Sequence, residues 1–264
     1  MRRSVSFLVI TDLVFLLIAS VPGLIHGLWG RALYYLLYAG LIAFAAALVG
    51  RREESLELSF LPRRPMLAAA LFAPTMLLTI GISAIVSYLL AALGKTNAAD
   101  VSGPMVIELL RHALLPALLE EMLFRYIPIR LLGRRSPRAA IVVSSVLFAL
   151  IHLSLFQIPY ALAAGAIFAY MTIATGSVLP AMLLHFVNNA ISVLWMREPA
   201  TVVPMILIVL ALLTLLSAVY IVLRRRDYGE SLKSALSGER VGFSFEMSVV
   251  AVLCLGVAAL ELMR

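Results

Sequence analysis

Apolar runs long enough to cross a bilayer recur along almost the whole of this chain, and they constrain its fold more than any single residue does. A spanning helix needs about 20 mostly apolar residues. Nine runs meet or approach that length: 4–28, 32–49, 66–93, 105–132, 139–155, 158–174, 178–195, 201–223 and 243–262. Hydrocarbon offers a backbone N–H or C=O no partner, so runs of this length fold as helices. With 63% hydrophobic residues in 264, the chain exceeds what a soluble core can bury. The expected fold is all-α: a polytopic transmembrane bundle of eight or nine spanning helices, forming a single transmembrane domain over 1–264. Residues 224–242 read as a cytoplasmic linker. The first run begins Arg2-Arg3 and reaches Ala19-Ser20, as a signal peptide would, but no A-x-A site follows, so it reads as retained.

Charge supports this layout. The net charge of +7 would suggest nucleic acid in a soluble protein, but here the basic residues sit in short clusters between apolar runs. Aromatic-plus-basic RNA motifs are absent. With the N-terminus in the cytoplasm, fifteen Lys and Arg fall inside and five outside, with Arg125 left within a span. Removing a middle helix would scramble that bias. Removing the last would change only Arg264, which is why the count is eight or nine. In a prokaryotic host the location is the plasma membrane. The single cysteine, Cys254, excludes an internal disulfide and a thiolate zinc site.

Against this background a few polar residues stand out, because an ionisable group in hydrocarbon needs a partner or a task. The fourth run contains Glu120, Glu121 and Arg125. Glu121 and Arg125 are four apart and share a helix face, so they can pair. Glu120 points about 100° away, toward a different helix. Pro116 is placed to kink this helix. The fifth run ends in Phe148-x-x-x-His152, and the seventh carries His185, Asn188, Asn189 and Ser192, with His185 and Asn189 on one face. In the sixth, Ala161, Gly165 and Ala169 form a small-residue stripe suited to close helix packing. Taken singly these residues also suit ion-paired packing, a satisfied core histidine or hydrogen bonds between helices. Counted along the helices, Glu120, His152 and His185 fall at levels compatible with one shared site.

In this order, Glu120-Glu121-x-x-x-Arg125, Phe148-x-x-x-His152 and His185-x-x-x-Asn189 resemble the motifs of the CAAX-protease and bacteriocin-processing (Abi) family of intramembrane endopeptidases. The resemblance covers about 105–195. It implies a helical membrane protein with a site inside the bilayer, in which the first glutamate is catalytic.

Peptide hydrolysis needs an activated water, donors to the oxyanion and a proton for the leaving amine. Glu120, the acid not committed to Arg125, is the expected general base. His152 would share its water, and His185 and Asn189 would donate to the oxyanion. Phe148 would wall the site, and Glu121–Arg125 would lock the helix. The family resemblance implies the same division. A serine protease of the rhomboid kind lacks its nucleophile here, and an aspartyl type lacks its second intramembrane aspartate, since Asp100 and Asp227 fall in expected loops. The H-E-x-x-H zinc helix is absent. No cofactor is favoured. If zinc or another divalent metal is present, its ligands are Glu120, His152 and His185. The expected partners are a membrane-associated peptide or protein substrate and the lipid bilayer, with no nucleic acid. Two other classes would use the same residues: a non-cleaving, peptide-binding immunity or regulatory protein, and an ion-coupled transporter.

Overall fold

The computed structural model describes residues 1–51, 55–95, 103–197, 202–239 and 245–263. Asp100, Arg52, Arg240 and Arg264 lie outside them. The described chain is helical, with no strand: α1 (Arg2–Ala19), α2 (Gly27–Gly50), α3 (Pro65–Ala92), α4 (105–132), α5 (Pro137–Leu150), α6 (Ile158–Thr175), α7 (Leu179–Arg197), α8 (Val202–Leu223), α9 (Arg225–Ala235) and α10 (Phe245–Met263). A helical turn, Val21–Leu24, joins the first two. Six of these helices are long and apolar enough to cross a membrane, and α5 and the apolar part of α10 are shorter. The polytopic all-α bundle expected from the apolar runs is the fold.

Proline chemistry shapes α4. It is one continuous helix with two π turns, Leu110–Leu114 and Met122–Tyr126, each followed within two residues by a proline, Pro116 and Pro128. A proline has no N–H to give the carbonyl four residues back, and its ring crowds that carbonyl. Widening the preceding turn relieves the crowding. The carbonyl orphaned by Pro128 is that of Phe124, and the Ser144 hydroxyl on α5 donates to it. The second π turn therefore starts one residue after Glu121 and is tied to the neighbouring helix.

The fifth expected span departs from its sequence reading. The apolar run 139–155 reads as one span, but α5 stops at Leu150. Fourteen residues rise about 21 Å, short of a hydrocarbon core about 30 Å thick. Leu153 has a left-handed backbone, φ +50°, which ends the helix. His152 thus sits in a turn rather than on a helix. Irregular backbone at membrane depth is tolerated where protein buries it, and here α6 packs along α5 beside it. Ala161 and Ala169 of the small-residue stripe are fully buried.

Within the stretch read as a linker, Arg225–Ala235 forms helix α9, and Asp227 lies in its first turn rather than in a loop. The basic connectors gather at one end of the bundle. Arg130 donates to the Leu56 carbonyl and to Ser55 and Tyr126, and Arg63 N–H donates to Thr175 O at 2.8 Å. Arg138 N–H donates to Ser237 O. At the opposite end, the buried Glu108 carboxylate accepts from Gly103 N–H and lies 3.1 Å from His112, while Arg197 donates to the Gly103 carbonyl.

Candidate active site

α4 presents its two acids differently. The Glu121 side chain is fully sealed from solvent, whereas that of Glu120 keeps 19% of its surface accessible. Glu121 Oε2 lies 3.2 Å from Arg125 Nε, the ion pair expected from their four-residue spacing. Glu121 also does something the spacing does not reveal. Its Oε1 accepts a 2.8 Å hydrogen bond from His185 Nδ1 on α7. The far nitrogen of that imidazole, Nε2, lies 3.8 Å from Glu120 Oε2. His185 is thus held between the two carboxylates, by a hydrogen bond on one side and within ion-pair range on the other.

Aromatic rings close the space around this group. The Arg125 guanidinium stacks 3.9 Å from the centre of the Phe148 ring, with Phe168 of α6 on a second side at 5.5 Å. Phe148 lies edge-on to His185 at 5.8 Å and to His152 at 5.0 Å. Arg125 Nη1 and Nη2 are buried with no hydrogen-bond partner among the described residues. Its charge is met by one carboxylate and by ring faces, a cation–π arrangement that desolvation strengthens. Gly165 makes room for this packing. A Cβ there would lie 3.2 Å from Ser145 Cα, 3.3 Å from Phe148 Cδ1 and 3.4 Å from Arg125 Nη2. The small-residue stripe therefore admits the guanidinium as well as the neighbouring helix.

His152 joins the group through Phe148. Its Nδ1–H donates to the Phe148 carbonyl at 2.8 Å, which leaves Nε2 as the acceptor nitrogen of a neutral ring. No carboxylate oxygen lies within 4.0 Å of it among the described residues. On α7, Asn188 is bound away from the His185 face. Its Oδ1 accepts from Thr79 of α3, and its Nδ2 donates to Asn189 Oδ1 at 3.3 Å. The Asn189 amide nitrogen is left without a partner among the described residues. Ser192 turns back to the Asn188 carbonyl on an exposed surface and does not join the group.

The structure thus brings Glu120, Glu121, Arg125, Phe148 and His185 into one contiguous cluster. His152 touches its rim, and Asn189 lies one helical turn from His185. Sequence reasoning missed Phe168, Gly165's part in seating Arg125, and Thr79. Phe168 is three residues from Gly165 on the packing face of α6, and Thr79 is a hydroxyl within an apolar span. Neither carries a motif. Among the described residues, no group of three His, Cys, Asp or Glu is placed to hold a metal ion as it stands.

Residues 102–191 match the family described as Rce1-like, type II CAAX prenyl endopeptidase. The match spans α4 to most of α7, the helices that supply the whole cluster, and bears out the resemblance carried by the three motifs. No curated protein and no solved structure matches the chain.

Proposed function

We propose that this protein is an intramembrane endopeptidase that hydrolyses a peptide bond in a membrane-associated peptide or protein, with Glu120 activating the water. The carrying observation is the asymmetry of the two acids. Glu121 is sealed and engaged on both oxygens, by Arg125 and by His185, whereas Glu120 keeps an accessible edge. A base must reach a water, and of the two acids Glu120 is the one with an accessible edge. Its carboxylate takes the water proton as the hydroxide attacks the scissile carbonyl, and the proton then passes to the leaving amine.

The oxyanion needs donors fixed before the charge develops. The Asn189 amide nitrogen meets that need, because Asn188 holds its oxygen and leaves the NH2 free. His185 donates from Nε2 only when its ring carries both protons, since its Nδ1 proton is given to Glu121. The free Nε2 of His152 can accept a hydrogen from the same water or relay it. Phe148 and Phe168 exclude bulk water, and Glu121–Arg125 positions His185.

The test is cleavage by the Glu120→Gln protein. The substitution keeps shape and removes the base, so peptides released from membranes by the wild type should fall by about 10²-fold or more. A peptidomic comparison of cells carrying each form reads this directly. Unchanged peptide release in Glu120→Gln would remove Glu120 as the base, and the absence of any peptide release that depends on the wild-type protein would favour a protein that binds peptide without cutting it. Metal dependence is separable from this. We expect purified protein to keep its activity after exhaustive chelation. Stoichiometric zinc, with activity lost on its removal and regained on its return, would establish the metal reading instead.

A further inference from the structure

At the end of the bundle where the basic connectors gather, away from the Glu120 cluster, there is a cavity of about 840 Å³. Its walls are the start of α3, the turn between α6 and α7, the end of α8 and one face of α9. We propose that this cavity binds the phosphate headgroup of an anionic phospholipid, with Arg63, Arg64 and Arg224 as its cationic contacts. None of the roles argued for the intramembrane cluster is needed for this.

The first argument is charge. Three guanidinium groups line the cavity, opposed by Asp227 and Glu230. Asp227 Oδ2 lies 3.4 Å from Arg224 Nη1, a pair whose side chains are both more than half exposed and whose attraction water screens. Neither Arg63 nor Arg64 has an ion pair or side-chain hydrogen bond among the described residues. A planar guanidinium matches two phosphate oxygens at once, and paired arginines bind phosphate for that reason.

The second argument is that Arg63 is held in place. Its backbone N–H is bound to Thr175 O, and its side chain lies along Gly176, whose φ of +68° ends α6 in a left-handed turn. A Cβ at Gly176 would lie 3.4 Å from Arg63 Cδ. The nearby Ser59 fastens the same turn, its backbone N–H donating to the Gly176 carbonyl at 2.8 Å. The backbone of Arg63 is therefore fixed at the cavity wall, and its exposed side chain passes beside Gly176.

The third argument selects a lipid over a soluble anion. One side of the cavity is apolar, built from Leu67, Ile173 and Met66, which is 59% exposed. The end of α8 beside it turns Leu216, Val219 and Leu223 outward, where acyl chains would run. Tyr220 and Tyr228 meet edge to face at 6.1 Å on the cavity wall, and tyrosines favour this level of a membrane. Positive-inside counting puts this end in the cytoplasm, where anionic lipid is concentrated.

Native mass spectrometry of the full-length protein in detergent tests the proposal, with phosphatidylglycerol and phosphatidylcholine of matched chains and inorganic phosphate as probes. One phosphatidylglycerol should be retained per protein, at least tenfold more tightly than phosphatidylcholine, and phosphate should not displace it at equal concentration. Arg63→Ala with Arg64→Ala should lose at least tenfold in that affinity. Arg225→Ala with Arg226→Ala, on the same surface but outside the cavity, should lose less than twofold. Equal losses in the two double variants would show diffuse attraction and overturn the site. So would equal retention of the two lipids, or displacement by inorganic phosphate alone. Thermal melting of each variant without lipid separates loss of binding from loss of fold. If Arg63→Ala/Arg64→Ala does not fold, Arg63→Gln and Arg224→Gln singly take its place under the same criteria.

Discussion

Glu120 and Glu121 are adjacent and chemically identical, yet their surroundings differ in every respect that matters. Glu121 lies between Arg125 and His185 with no exposed surface. Glu121→Gln removes the charge opposite a buried guanidinium and leaves one acceptor oxygen where Arg125 and His185 each face one. Losing one partner of a buried pair costs about 3–5 kcal/mol. Glu121→Gln should therefore lower the thermal midpoint and expression together with activity, whereas Glu120→Gln should melt like the wild type. Melting curves of the two purified variants decide it. A Glu121→Gln protein that is stable and inactive, beside an active Glu120→Gln, would invert the assignment. Asn188 and Asn189 show the same principle. They are alike in sequence, but Thr79 claims one of them and leaves the other's amide nitrogen free.

At the level of the helix, α4 and α5 position the site through a defect and a repair. Pro128 forces a π turn directly after Glu121, and Ser144 takes up the carbonyl that the proline leaves open. Ser144→Ala would strand that carbonyl in an apolar interior, at a cost of about 1–3 kcal/mol. Ser144→Ala should thus lower the thermal midpoint. Pro128→Ala, which restores an N–H for the same carbonyl, should recover part of the loss when combined with it. A double variant no more stable than Ser144→Ala alone would show that the two do not act on one carbonyl. The early stop of α5 belongs to the same economy. It releases His152 into a turn, where its orientation is set by the Phe148 carbonyl.

Across the whole molecule, the expected orientation follows from the basic connectors meeting at one end. The N-terminus, Arg134 and Arg225 should be cytoplasmic, with Lys95 and Arg197 on the other side. Single cysteines at those four side-chain positions, in a Cys254→Ala background, should label from outside intact cells only at 95 and 197. Protection of position 95 with labelling of position 134 would reverse the topology. The headgroup cavity would then face the other leaflet, while the intramembrane cluster would be unaffected.

The sequence by itself determined the class of fold, because 20-residue apolar runs in hydrocarbon have one way to satisfy their backbones. It also determined the Glu121–Arg125 pair, because residues four apart on a helix are neighbours wherever the helix goes. Relations between helices were not legible. His185 reaches Glu121 across 64 residues, and Thr79 reaches Asn188 across 109, at distances that no local period encodes. The end of α5 was hidden for a related reason. Neither glycine nor proline marks a stop within 151–155, and three of its five residues are apolar, so the turn became legible only in the folded chain, where α5 ends at Leu150. Local sequence sets which side chains share a face. Which face meets which, and therefore which of two equal acids is left open to water, is decided only when all the helices pack together.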